Sequence, residues 1–139
     1  MKQEILELIH DNTYYDYSTN VASEDEINNL VEKSKMELDP EYLNFLKKIN
    51  GFELNGTNFY GTKEQENIYV LDVLKQNSFW TEEIPDLKKY FILGDGDMDF
   101  YCQSLDGSQY FILNKGGLEK CGKFDSFNAL LENIIETII

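Results

Sequence analysis

Leu38–Gly51 reads LDPEYLNFLKKING, and along this stretch the chain changes from helical to strand-like patterning. Asp39 is placed to cap a helix, and Pro40 falls in the first turn, where its missing N–H costs no hydrogen bond. Gly51 follows the last apolar position, and a left-handed glycine commonly ends a helix there. The stretch therefore predicts one short helix, whose apolar side has residues at helical spacing: Tyr42, Phe45, Leu46 and Ile49.

Upstream of this stretch the sequence is also helical. A short apolar pattern marks residues 1–10, and a polar, tyrosine-rich loop follows over residues 11–20. Ser23 and Glu26 have the spacing of a capping box, in which each side chain bonds the backbone N–H of the other residue. A second helix is therefore predicted to begin after Ser23, and residues 1–51 are predicted to be mainly helical.

Downstream of Gly51 the apolar period changes to two. Asn55-Gly56 is a strong signal for a tight hairpin turn, and so is Asp106-Gly107. Residues 72–80 favour a short helix, with a connector beginning at Pro85. The predicted strands are 52–54, 58–60, 68–71, 90–93, 98–104, 109–113 and 118–124.

The chain ends in one more helical pattern, which Asp125-Ser126 can cap. The order of helices, antiparallel strands and one last helix predicts an α+β fold. In it, N-terminal helices and a C-terminal helix pack on a largely antiparallel β-sheet meander. The alternating βαβ pattern of a doubly wound nucleotide-binding fold is missing. A length of 139 residues fits a single domain over residues 1–139.

The charge is strongly unbalanced: 26 acidic residues face 12 basic ones, all of them lysine, and the formal net charge is −14. Nucleic acid and anionic membranes are disfavoured as partners, because both require a basic surface. A basic protein is favoured, since opposite fields speed encounter; the alternative is that acidity serves only solubility. No apolar run is long enough to span a bilayer, and Glu4 interrupts any secretion signal, so we expect a cytoplasmic protein.

The chain has few groups suited to catalysis or metal binding. His10 is its only histidine, and Cys102 and Cys121 have neither a disulfide framework nor a metal-binding spacing. Both cysteines lie in apolar strand-like runs and are predicted to be buried, reduced thiols. The aspartate-rich segment 95–106 lacks the glycine and glutamate that a calcium loop needs at its sixth and twelfth positions. We therefore expect no enzymatic activity, no cofactor and no metal.

Two groups of acids are candidate partner-binding residues. Asp95, Asp97 and Asp99 are expected at a tip between two strands, and such tips project into solvent. The second group follows Trp80, which could anchor an interface with these acids at its rim: Glu82, Glu83 and Asp86. The alternatives are a structural turn at Asp95 and a solvated loop after Trp80. The loop Tyr14–Tyr17 is a further candidate interface, with core packing as its alternative.

Residues 38–51 resemble the signature of the SUKH superfamily, which includes many bacterial toxin-immunity proteins and the fungal regulators of glucan synthesis. Pro40 is displaced by one position, and Phe52 stands where a second glycine is usual. Residues 92–99, ILGDGDMD, are similar to the family's turn between two strands, and Phe124–Phe127 resembles the start of its C-terminal element. The likeness covers residues 23–139 and leaves 1–22 as a variable helix and loop. Six residues match the signature in spacing: Leu38, Tyr42, Phe45, Leu46, Asn50 and Gly51.

The resemblance implies an α+β fold without catalytic residues. It also implies an immunity protein, or antitoxin, that binds and neutralises a cognate polymorphic toxin. A nuclease toxin must be basic to hold phosphates, and an acidic protein would be steered to it. The alternative is a non-catalytic regulator or scaffold that binds an endogenous protein, as in the control of cell-wall synthesis. Nothing in the sequence indicates an oligomeric state.

Overall fold

The computed structural model describes residues 3–139. Within these residues, five α-helices and six β-strands follow one another, and a short 3-10 helix, Pro85–Lys89, precedes the third strand. The helices are α1 (Gln3–Asn12), α2 (Glu24–Ser34), α3 (Pro40–Lys48), α4 (Val73–Glu83) and α5 (Phe127–Ile138). The strands are β1 (Phe52–Leu54), β2 (Thr57–Phe59), β3 (Tyr90–Asp95), β4 (Asp99–Ser104), β5 (Tyr110–Asn114) and β6 (Lys120–Phe124).

The helices begin where side-chain caps are available. Ser23 and Glu26 form the predicted capping box, with N···O distances of 3.0 and 3.1 Å. Asp39 accepts from the backbone N–H of Glu41, and Ser126 caps α5 in the same way. Each cap satisfies a backbone donor that the first turn of a helix leaves unpaired.

The six strands form one antiparallel sheet in the order β1-β2-β3-β4-β5-β6. Each strand therefore pairs with its neighbours in sequence, which is the simplest meander. The fold is α+β, with N-terminal helices before the sheet and a C-terminal helix after it, as the sequence predicts.

The sheet has helices on both faces. On one face, the rings of Phe45 in α3 and Phe127 in α5 contact Phe59 of β2. Phe100 and Tyr101 are consecutive in β4 and therefore point to opposite faces. Tyr101 stacks on Phe59, whereas Phe100 contacts Trp80 of α4 on the other face. Helix α4 thus lies on the face opposite α3 and α5.

The predicted strand at residues 68–71 is wrong. Between β2 and α4 the chain makes only one isolated parallel bridge, Gly61 to Asp72. This bridge joins the two ends of the connection to each other, and residues 68–71 pair with no strand of the sheet. The apolar residues of this segment differ in burial: Val70 is buried, while Tyr69 is 47% exposed.

The two cysteines are free, and they differ in environment. Cys102 in β4 is buried, and burial raises the pKa of its thiol. The prediction of a buried Cys121 is wrong, because that residue lies exposed in β6, at the edge of the sheet. Among residues 3–139, no helix is both long and apolar enough to cross a membrane.

Candidate protein-binding surface

The turn between β3 and β4 carries two of the predicted acids outward. The backbone N–H of Gly96 donates to the carbonyl of Asp99 at 2.9 Å, which closes the turn. Asp97 is exposed within it, and Asp99, the first residue of β4, is half-buried. A Cβ atom on Gly56 would lie 3.9 Å from the Asp97 carboxylate, so the β1–β2 hairpin turn adjoins this acid.

Asp95 ends β3 and has a different role from its two neighbours. Its side chain is only 13% exposed, and one carboxylate oxygen lies 2.7 Å from Lys115 Nζ. The other oxygen accepts a hydrogen bond from the Tyr60 hydroxyl at 2.5 Å. Burial, and then the adjacent Asp95 charge, raise the pKa of Tyr60, so this hydroxyl stays protonated as a donor. The Asp95 carboxylate is thus bound within the molecule and is not free for a partner.

Trp80 lies on the inner side of α4. Its ring meets Phe100 edge to face with centroids 4.9 Å apart, and Lys115 Nζ lies 5.0 Å from its centroid. The ring is half-buried and packs the helix onto the sheet. The preceding residue, Phe79, is 51% exposed and contacts the Trp80 ring at 5.0 Å. Phe79 therefore presents the larger apolar surface to solvent.

The second group of acids lies at the end of α4 and just beyond it. Glu82 and Glu83 are in its last turn, Asp86 is in the 3-10 helix, and all three are exposed. Within the part of the chain that the structure describes, no lysine lies within 4.0 Å of these carboxylates. They therefore add to the negative field at the surface.

The structure brings two of the predicted residues together through a third that sequence reasoning missed. Lys115 lies between the Asp95 carboxylate and the ring of Trp80. The outward acids Asp97 and Asp99 follow Asp95 along the chain, while Glu82 and Glu83 follow Trp80. No sequence pattern predicts that a lysine in a turn will make such a contact. Phe79, in contrast, adjoins Trp80 in sequence and could have been predicted as a candidate binding residue.

The described residues, 3–139, contain no group of three or more histidine, cysteine, aspartate or glutamate side chains that could hold a metal ion. The acidic turn in particular directs its carboxylates apart. Asp95 points to Tyr60 and Lys115, while Asp97 is exposed. This surface combines negative charge with the exposed ring of Phe79, an arrangement that attracts positively charged groups.

Comparison with known protein families gives one match. The sequence profile of the SMI1 / KNR4 family (SUKH-1) matches residues 21–133. These residues begin just before α2 and end within α5, so they include the whole sheet and the acidic turn. No curated protein sequence matches the chain closely. The family profile covers most of the 139 residues, and the chain belongs to the SMI1 / KNR4 family (SUKH-1).

Proposed function

We propose that this protein is an immunity protein that binds a basic toxin domain and neutralises it inside the cell that makes it. The module acts by binding alone, without catalysis, in the cytoplasm. A nuclease is the toxin class that best fits, because a nuclease needs a basic groove to hold phosphates. Family membership supports a protein-binding role of this kind or a regulatory one.

The observation that carries the proposal is a set of five acids that have no lysine within ion-pair distance among residues 3–139; four are exposed, and Asp99 is half-buried. Asp97, Asp99, Glu82, Glu83 and Asp86 lie at two sites that flank the cluster of Trp80, Lys115 and Asp95. A surface of this charge, on a chain of net charge −14, attracts a basic partner over a distance of about 10 Å at moderate salt. By binding there, this protein would cover the surface with which such a partner holds phosphates.

The first experiment identifies the partner. The protein is co-expressed with the C-terminal domain encoded by the neighbouring gene, and the complex is isolated by affinity purification. We expect a stable complex in which the toxic activity of that domain is lost. Specific capture of an endogenous protein instead, with no effect on a toxin, would favour the regulatory alternative.

The second experiment tests the surface. In the double variant Asp97→Asn/Asp99→Asn, we expect association with the basic domain to slow by about 3- to 10-fold and to depend less on salt. Stopped-flow association at several salt concentrations measures both. The matched control is Glu4→Gln/Glu7→Gln, which removes two exposed charges from α1. Equal rates and salt slopes in the two double variants would show that the acidic turn does not steer the partner.

A further inference from the structure

A recess opens on the face of the sheet that carries α4, at the β1 edge. Glu53 and Asn58 lie directly opposite each other in the β1–β2 ladder, so their side chains share one face. Phe52 and Leu54, on either side of Glu53, point to the other face and are buried. The recess has a volume of about 520 Å³ and is lined by Tyr14, Tyr15, Glu53, Gly56, Asn58 and Tyr69.

A buried tyrosine holds the parts of this recess together. Tyr17 is fully buried; its hydroxyl donates to the carbonyl of Tyr69 at 2.8 Å and accepts from the N–H of Glu53 at 3.1 Å. Burial raises the pKa of Tyr17 to about 12, so the hydroxyl remains a donor at neutral pH. The loop that carries Tyr14 and Tyr15 is thereby fixed to the edge strand and to the segment before α4.

The three tyrosines of the recess expose their rings to solvent. Tyr14 is 89% exposed, Tyr15 36% and Tyr69 47%. The rings of Tyr14 and Tyr15 meet edge to face with centroids 5.0 Å apart. None of the three belongs to the buried core, although Tyr17 between them does. Tyr14 and Tyr15 lie on the fixed loop and Tyr69 on the segment bonded to it, so the three rings form a preorganised aromatic surface.

Glu53 supplies the charge in this recess. One of its carboxylate oxygens accepts from the backbone N–H of Gly56 at 3.0 Å, which orients the side chain within its own hairpin. No lysine of residues 3–139 lies within ion-pair distance of it. The second carboxylate oxygen is therefore available to a donor from outside the molecule.

We propose that this recess binds one cationic side chain, an arginine or a lysine, from the basic protein partner. The cation stacks on the tyrosine rings, whose faces attract positive charge, and donates a charge-assisted hydrogen bond to Glu53. The net charge of −14 favours a cationic occupant over any other. The identity of the partner as a basic protein rests on the proposed function, whereas the chemistry of the recess does not.

The probe is the capped tripeptide acetyl-Gly-Arg-Gly-amide, titrated into the ¹⁵N-labelled full chain and followed by NMR. We expect saturable shifts of the Gly56 and Asn58 amides, with a Kd on the order of 1–10 mM. The same peptide with citrulline, which is neutral and of the same shape, should bind at least about tenfold more weakly. Shifts that are absent at these amides, or equal for both peptides, would overturn the assignment.

Three variants locate the binding. Glu53→Gln should weaken the arginine peptide about tenfold, while its amide oxygen still accepts from Gly56. Tyr14→Ala should weaken it about threefold without unfolding the chain, because Tyr14 is almost fully exposed. Glu119→Gln is the control, since it removes one exposed charge from the turn beside β6, at the opposite edge of the sheet. An effect of Glu119→Gln equal to that of Glu53→Gln would mean that only overall charge matters.

The recess and the proposed function fail in different ways. If the arginine peptide binds the recess but no basic toxin domain is captured, the recess assignment stands and the immunity role is overturned. If a toxin domain is captured, and Glu53→Gln leaves both its affinity and the peptide titration unchanged, the recess assignment is overturned alone.

Discussion

Lys115 connects three parts of the molecule through one ammonium group. It lies 2.7 Å from the Asp95 carboxylate of β3, and 5.0 and 5.2 Å from the ring centroids of Trp80 and Phe100. The lysine side chain is 25% exposed and the Asp95 side chain 13%, so water screens the pair only weakly. The three aspartates of one short segment therefore differ: Asp95 supports the structure, whereas Asp97 and Asp99 form no ion pair with a lysine among residues 3–139.

This difference predicts unequal effects on stability for two similar substitutions. Asp95→Asn should lower the free energy of unfolding by about 2 kcal/mol, because Lys115 is left without its counter-charge in a mostly buried site. Asp97→Asn should change it by less than about 0.5 kcal/mol, because that side chain is exposed. Urea unfolding of both variants measures the difference. Equal stabilities would contradict the structural role of Asp95.

At the scale of the elements, local signals were enough to predict where three of the helices begin. Ser23, Asp39 and Ser126 cap helices by bonding residues within three positions in sequence, and such bonds can be predicted from the sequence. The prediction of a strand at residues 68–71 was wrong because β propensity does not specify a pairing partner. The prediction that Cys121 is buried was wrong for a related reason, since the sequence does not show that β6 is an edge strand.

The candidate binding residues show the same contrast between local features, which the sequence predicts, and long-range contacts, which it does not. The exposure of Asp97 follows from its place in a turn, which the two glycines just before it, Gly94 and Gly96, indicate. The interaction of Asp95 with Lys115 joins residues 20 positions apart, and that of Tyr17 with Tyr69 joins residues 52 apart. No sequence pattern predicts a contact between residues that are so far apart in the chain. For this reason the recess at Glu53 could not be predicted from the sequence, although its tyrosine loop was predicted as a candidate interface.

Gly94 shows how one position sets the approach of two strands. It lies between Phe59 of β2 and Tyr101 of β4 in the sheet, and these two rings stack above it with centroids 5.6 Å apart. A Cβ atom at Gly94 would lie 2.3 Å from the carbonyl oxygen of Asn58. The absence of a side chain thus allows both the β2–β3 pairing and the stacked rings.

We expect Gly94→Ala to lower the free energy of unfolding by at least about 2 kcal/mol, because the added methyl group must push β2 away from β3. Gly117→Ala is the matched control, since a Cβ there would meet no atom within 4 Å. Thermal unfolding of the two variants measures the contrast. Equal melting temperatures for Gly94→Ala and the parent chain would show that β2 can move without loss.

At the scale of the whole molecule, negative charge exceeds what internal pairing can neutralise. The 26 acids face 12 lysines, and four lysine–carboxylate ion pairs form among residues 3–139. Unpaired acids repel one another, and this repulsion opposes the compact state. The same field attracts positively charged proteins. Salt screens both interactions, so the stability of the free protein and the rate of complex formation should respond to it in opposite directions.

Raising sodium chloride from about 10 mM to 150 mM shortens the screening length from about 30 Å to about 8 Å. We expect the melting temperature of the free protein to rise by about 2–4 °C, because repulsion among the acids is reduced. Over the same range, association with the basic partner should slow, because the attraction across the encounter is reduced as well. Calorimetry and stopped-flow kinetics in matched buffers measure the two effects. A melting temperature that rises with salt while the association rate stays constant would mean that the acids serve solubility alone, since steering requires that rate to fall.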